Sequence, residues 1–379
     1  MDNVKLRESI GSEEESAPFL TQQLITYIGN KRRLLPFIGE ALYEVKKRLG
    51  KEKLSIFDAF SGSGAVARFF KAHADLLLVN DLEAYSETAN RCYLANAEEL
   101  PQKELKEIYQ NLLQRLNEEP LKKGFIADLY APEDENHIRA DERAFYTPRN
   151  ALFIDTARQY IEEVDPALRH FFIAPLLSEA SVHANTAGVF KGFYKDKETK
   201  TGRFGGTNRN ALSRITGDIE LPFPVWSRFS CPVRIFRQDT NALASQLDEV
   251  DLVYLDPPYN QHPYGSNYFM LNLILSYQRP EGLSQISGIP GDWNRSIYNK
   301  RHKAEAAFGE LVRNIKAKFI LVSFNSEGFI SSERMQFILG EVGQVEVFET
   351  AYNTFRGSRN LRGRQTHVSE YLYLVECKD

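Results

Sequence analysis

Two stretches of the chain alternate short apolar runs with segments of helical period. Leu54–Phe60 (LSIFDAF) is a β-branched and aromatic run that stops at Ser61-Gly62-Ser63-Gly64, and the next residues, AVARFFKAHA, have helical spacing. Leu76–Asn80 (LLLVN) is a second apolar run, followed by a helical pattern from Ala84 to about Leu100. The order is strand, glycine turn, helix, strand, helix. The alternation resumes with Val233–Phe236, Asp251–Leu255 (DLVYL), Phe319–Phe324 (FILVSF), Gln344–Glu349 and Glu370–Glu376 (EYLYLVE). No helix separates the last two runs, which predicts an antiparallel pair at a sheet edge. Residues 97–229 have another texture. Helical charge patterns cover Lys103–Glu119, Pro148–Glu163 and Pro166–Val182, a basic, glycine-dotted loop follows at Lys191–Asn210, and no buried-strand run interrupts them. The pattern therefore predicts an α/β fold, with a parallel sheet built from 21–96 and 230–379 and a mostly helical insertion at 97–229. Residues 1–20, dominated by acids and serine without a period, read as a mobile tail.

Composition narrows the class. A chain of 379 residues with 42% hydrophobic and 26% charged residues is an ordinary globular protein of two or three domains. No apolar run reaches the ~18 to 20 residues that cross a bilayer, and the polar, acidic start lacks a signal-peptide stretch, which points to the cytoplasm and away from a membrane. Cys92, Cys231 and Cys377 are far apart and form no CxxC pair, so neither a zinc ribbon nor a disulfide framework is expected.

The summed charge of −4 argues against a polyanionic partner, but its distribution argues for one. From Thr186 to Ile215 there are seven basic residues (Lys191, Lys195, Lys197, Lys200, Arg203, Arg209, Arg214) and two acidic ones (Asp196, Glu198), interleaved with Phe190, Phe193, Tyr194 and Phe204. Arg356, Arg359, Arg362 and Arg364 form a second, acid-free cluster. Such clusters are the footprint of phosphate contacts, against the simpler reading of a solvated basic loop.

Three strand ends carry candidate chemistry. Phe60-Ser61-Gly62-Ser63-Gly64 lets backbone approach a ligand and aims helix N-terminal amides at it, but it lacks the third glycine of a dinucleotide fingerprint and the lysine of a P-loop. Asn80-Asp81 ends the second run, where a carboxylate can accept from ribose hydroxyls, so a nucleoside-containing ligand is favoured. Leu255-Asp256-Pro257-Pro258-Tyr259 closes an apolar strand. Its two prolines fix the backbone, so that Asp256 and the Pro257 carbonyl become rigid acceptors beside an aromatic face, a place suited to an exocyclic amino group. His183 and His262 have no clustered partners and read as hydrogen-bonding or surface residues rather than metal ligands, and no metal is expected. Ser266-Asn267-Tyr268-Phe269 reads as pocket wall or helix start, and Asn325 as a site neighbour or a strand-end cap.

Tyr27-Ile28-Gly29-Asn30-Lys31 with Leu34-Leu35, then FSGSG, NDLE and DPPY, in this order, resembles the Dam-like, alpha-group DNA adenine-N6 methyltransferases. The resemblance covers about 20–96 and 230–379. It implies a Rossmann-like methyltransferase sheet with an inserted target-recognition domain at 97–229, S-adenosylmethionine as cofactor and double-stranded DNA as partner, and it leaves open a cognate restriction enzyme. On this resemblance Tyr27 and Lys31 hold the methionine part of the cofactor, and Phe60, Gly62 and Gly64 line it. Asp81 binds its ribose and Asp239 lies near its adenine. Asp256, Pro257, Pro258 and Tyr259 hold the flipped adenine, while Lys191, Lys195, Arg203 and Arg209 contact DNA. Ile28 and Asn30 depart from the small residues often found beside the motif glycine. Cytosine-N4 or RNA adenine methylation uses related motifs, although DPPY rather than SPPY or NPPY and the large basic insertion favour DNA adenine. A catalytically silent DNA-binding subunit is the rival from another class.

Overall fold

The apolar runs assemble into one seven-stranded sheet in a computed structural model that describes residues 15–353 and 367–378. The strands are β1 (Leu54–Asp58), β2 (Ala74–Asn80), β3 (Val233–Phe236), β4 (Val250–Leu255), β5 (Ala317–Asn325), β6 (Gly343–Asn353) and β7 (His367–Cys377), in the order β3-β2-β1-β4-β5-β7-β6. β1 to β5 are parallel. The expected antiparallel edge pair is present: β7 pairs with β5 and β6 with β7. This is the mixed α/β, Rossmann-like architecture read from the sequence.

The strands read as continuous apolar runs because both faces are covered. In β4, Leu252 and Tyr254 enter one core and Val250, Val253 and Leu255 the other; in β5, Phe319 and Leu321 oppose Ile320, Val322 and Phe324. Helices Arg301–Asn314 and Ser332–Val342 cover the second face, and Leu35–Leu49 packs on the first. Between β2 and β3 run helices Ala84–Tyr93, Gln102–Glu118, Phe125–Tyr130, Pro148–Ile161, His170–Val182 and Leu212–Thr216. Among the described residues of 97–229 there is no strand, only an isolated antiparallel bridge between Lys195 and Gly202. Leu105, Ile154, Leu176 and other residues of this stretch share one continuous core with β1, β2 and β4.

Two expectations need correction. The helix expected from Ala84 to about Leu100 stops at Tyr93, with a separate 3-10 turn at Ala97–Glu99. The tail expected over 1–20 does not reach Ala17. Ser16 caps a helix at Ala17–Thr21 whose Phe19 and Leu20 are buried. Arg68, wholly buried, fastens this segment by donating to the carbonyls of Phe19 (2.9 Å), Gln22 (2.8 Å) and Gln23 (2.9 Å). The arginines between 356 and 364 lie outside the described residues. Among the described residues no helix is long and apolar enough to cross a membrane.

Candidate active site

Strand order reverses between β1 and β4, so the connections leave in opposite directions and a crevice opens outside the carboxyl ends of the strands. Four neighbouring parallel strands each bring an aspartate there: Asp58 from β1, Asp81 after β2, Asp239 after β3 and Asp256 after β4. All four line one cavity of about 880 Å³, counted with its open mouth. Of the residues expected at the cofactor, Tyr27, Lys31, Phe60, Gly62, Asp81 and Asp239 line it, together with Pro258.

The glycine turn builds the floor. Gly62 (φ +53°) and Gly64 (φ +77°) adopt left-handed backbone that side chains disfavour. A Cβ on Gly62 would lie 3.0 Å from the Tyr27 ring, whereas one on Gly64 would lie 2.7 Å from Asn90 Oδ1. Gly64 therefore serves the packing of the turn on the helix Ala84–Tyr93 and does not line the cavity. The Gly62 N–H donates to Asp81 Oδ2 (2.8 Å) and the Glu83 N–H to Asp81 Oδ1 (2.9 Å), so the carboxylate braces the turn and retains further acceptor capacity. Burial pushes the Asp81 carboxyl above its usual range, and these backbone donors oppose it. Asp239 is exposed and caps the next helix, accepting from Asn241 and Ala242.

Asp58 is the acid that sequence reading missed. It is wholly buried, no side chain pairs with its carboxylate, and the backbone N–H groups of Phe60 and Ala67 offset only part of its burial. Burial and the nearby Asp256 and Asp81 hold its carboxyl well above the usual carboxylate range. Its place two residues before Phe60, at the end of β1, was a legible signal.

Lys31 unites the cavity with the DPPY segment. Its Nζ lies 3.0 Å from Asp256 Oδ1 and 5.6 Å from the centre of the Tyr259 ring. Burial pushes the Asp256 carboxyl up to about 6, with Lys31 opposing the rise. On Lys31 the balance runs the other way: burial disfavours the charged ammonium, but Asp256, Tyr259 and Glu370 together hold its pKa well above the usual value.

Tyr259 faces elsewhere. It lines a second cavity together with Tyr27, Ile28, Gly29, Lys31, Arg33 and Glu370, so the loop 27–31 stands between the two spaces. That loop is held by stacked rings: Tyr27 packs on Tyr264 (4.8 Å) and Tyr268 (4.6 Å), whose own centres lie 6.0 Å apart. The Tyr268 hydroxyl accepts from the Ile28 N–H (2.6 Å), and the Tyr264 hydroxyl donates to the Ile28 carbonyl. Of the stretch 266–269, then, Tyr268 buttresses the loop and Phe269 is core; the cavity wall is Tyr264 instead, with Asn294, Ser296, Tyr298 and Asn299 on a loop that no motif announced. Asn325 caps the turn after β5, accepting from the Glu327 N–H.

The basic loop lies beside the second cavity. Gly188 lines that cavity, and the Phe190 N–H donates to the Asn267 carbonyl (2.7 Å). Lys191, Arg203 and Arg209 are exposed and Lys195 is half-buried. Phe190, Phe193 and Phe204 are core residues and offer no face to a base. Arg214 also leaves the charged cluster, donating to the carbonyls of Val182, Ala184 and Thr186. His183 contacts the Arg214 carbonyl and Glu179, which is a structural role. Among the described residues no cluster of three or more His, Cys, Asp or Glu could hold a metal ion.

The family model described as D12 class N6 adenine-specific DNA methyltransferase matches residues 27–336. The chain is similar to the Type II methyltransferase M.NlaIII of Neisseria lactamica, 29% identical over 362 residues that cover 93% of this chain and 99% of that protein. It is 28% identical to the Type II methyltransferase M.CviAII of Paramecium bursaria Chlorella virus 1 over 360 residues, 93% and 98% of the two chains. A match to the Type II methyltransferase M.FokI of Planomicrobium okeanokoites, 25% identical over 367 residues, covers 92% of this chain and 52% of that protein.

Proposed function

The chain belongs to the D12 class N6 adenine-specific DNA methyltransferases, and on that premise we propose which of its residues carry the reaction. The cavity at the strand ends takes S-adenosylmethionine, and Asp256-Pro257-Pro258-Tyr259 takes an adenine extruded from double-stranded DNA. The observation that carries this reading is the convergence of four strand-end aspartates on one cavity whose wall includes Asp256 and Pro258.

The residues present fit a cationic nucleoside. Asp58 offers a buried carboxylate without a side-chain partner, suited to a positive group, and the bare Cα of Gly62 leaves room beside Tyr27. Asp81 and the turn amides are suited to ribose hydroxyls, and Phe60, with Tyr298 edge-on at 5.4 Å, to a base. When bound, S-adenosylmethionine supplies a methyl group on positively charged sulfur. The chain's own residues do the rest by orientation. An adenine amino group is a poor nucleophile because its lone pair is delocalised into the ring. Acceptors at Asp256 and the Pro257 carbonyl favour a more tetrahedral nitrogen and hold it in line, while the Tyr259 face supports the unstacked base. The exposed Lys191, Arg203 and Arg209 and the half-buried Lys195, on the 97–229 segment read as the recognition region, neutralise phosphates nearby.

Incubation of the protein with labelled S-adenosylmethionine and unmethylated bacterial chromosomal DNA, followed by mass spectrometry of the nucleosides, tests the reading. N6-methyladenine is expected from the parent protein and its loss from Asp256→Ala, with cofactor affinity nearly intact. Label in N4-methylcytosine, or no label in DNA while a parallel incubation with RNA is labelled, overturns it.

A further inference from the structure

One buried acid at this site has no task so far. Glu370, on β7, is 4% exposed, and its Oε2 has no hydrogen-bond partner. It lines the second cavity with Tyr259, whereas Asp256 lines the first; Lys31 lines both. Lys31 thus stands in the partition with a carboxylate facing each space, and it is paired with only one of them, Asp256. The position of Glu370 is set by the β5–β7 ladder, where it lies opposite Asn325 and the Ser326 N–H donates to the neighbouring Ser369 carbonyl (3.1 Å). Its negative charge reaches the whole constellation: it favours the charged form of Lys31 and disfavours ionisation of Asp256 and Tyr259.

Two physical facts make this arrangement informative. A buried carboxylate oxygen without a partner is costly, and here an ammonium lies within its electrostatic reach. The same ammonium occupies the carboxylate that the target amino group has to engage, and an N–H of neutral adenine is the weaker partner for it. We propose that Glu370 is a positioning residue for methyl transfer, which receives the Lys31 ammonium as the target amino group takes Asp256. The exchange keeps both buried charges satisfied and frees an Asp256 oxygen for the adenine. It rests on the assignment of Asp256 to the amino group.

The test uses the full chain, labelled S-adenosylmethionine and unmethylated bacterial chromosomal DNA. Glu370→Gln keeps the shape and removes the charge. The expected result is a fall in kcat of about 100-fold, the scale of a misplaced reacting group, with cofactor Kd and the KM for DNA little changed. The acid limb of the kcat profile should also move to lower pH, because one negative neighbour of Asp256 is gone. Asp58 from β1, Tyr254 at the end of β4, Tyr264 and Lys31 also face Asp256 and remain in place. Glu370→Asp should recover much of the lost kcat. Glu370→Met, uncharged and of similar length, must reproduce the fall if Gln does not fold. Parental kcat in Gln and Met variants, or an acid limb that stays in place, overturns the proposal. An Asp256→Asn control separates the two readings: if it still methylates, the assignment of Asp256 fails. If it is inactive while Glu370→Gln works normally, only the role of Glu370 fails.

Discussion

On the proposed assignment Asp256 acts as an acceptor, and its ionisation then governs activity. Burial raises its carboxyl to about 6 and Lys31 limits the rise, which means that the acceptor is lost as pH falls through that value. The kcat profile is expected to climb with an apparent pKa near 6 and to level off above it; a rate that stays flat from about pH 5 to about pH 8 would remove Asp256 from the rate-determining state. Asp58 gives a prediction in which stability and affinity part company. Both its oxygens are buried with no side-chain partner, and the Phe60 and Ala67 amides offset only part of that burial, a state that costs folding free energy until a cation arrives. Asp58→Asn should therefore raise the melting temperature of the protein without cofactor and weaken S-adenosylmethionine binding by about tenfold, near 1.4 kcal/mol. Calorimetry and thermal melts read the two effects separately. A lower melting temperature with unchanged affinity would make Asp58 a structural residue.

At the scale of elements, the site depends on one turn and one strap. The turn at 60–64 needs Gly62 twice, for its positive φ and for the 3.0 Å to a Tyr27 ring that is stacked on Tyr264 and Tyr268. Gly62→Ala should cost about 1 to 3 kcal/mol locally and weaken cofactor binding accordingly, as titration calorimetry would measure. The strap is the segment from Ser16 to Gln23, which leads into the 27–31 loop. Arg68, on the helix that follows the glycine turn, ties three of its carbonyls. Arg68→Met leaves those acceptors to find other partners, and a loss of roughly 3 kcal/mol or more is expected in urea unfolding, at about 1 kcal/mol or more per group. Cofactor affinity should fall with it, because the strap positions Tyr27 and Lys31. A variant of parental stability would show that water replaces the guanidinium.

Across the whole molecule, charge is arranged rather than abundant. The net charge is −4, yet exposed Lys191, Arg203 and Arg209 and half-buried Lys195 occupy a loop anchored beside the second cavity. With Phe190, Phe193 and Phe204 in the core, this loop can contribute charge but not base stacking from those rings. Reversing the four charges should therefore weaken binding to every duplex alike and flatten the salt dependence, by about 0.9 in the log–log slope for each phosphate that is no longer neutralised. Fluorescence anisotropy on two unrelated duplexes over a salt series would show it. Binding that ignores both salt and these changes would leave the loop without a DNA role.

Local pattern was enough for the frame of this protein. β1, β2, β4, β5 and β7 are legible because strands buried on both faces are continuous apolar runs, and the edge pair is legible because no helical pattern in the sequence separates its runs. Asp81 and Asp256 could be picked out because polar residues just past apolar runs mark the carboxyl ends where open sheets bind ligands, whereas Asp239 came from the family resemblance. The rest was decided by packing between residues far apart in the chain. No spacing announces that Lys31 meets Asp256, that Tyr27 stacks on Tyr264 and Tyr268, or that the segment 294–299 closes the cavity wall. Glu370 reads as one polar residue at the start of an edge-pair strand, and Phe190, Phe193 and Phe204 read as partners of the basic residues around them. Periodicity reports which face of an element a residue occupies. What that face meets is set by the order of strands in the sheet and the helices laid on it, and there Glu370 became a buried acid beside Lys31 and the three phenylalanines became core.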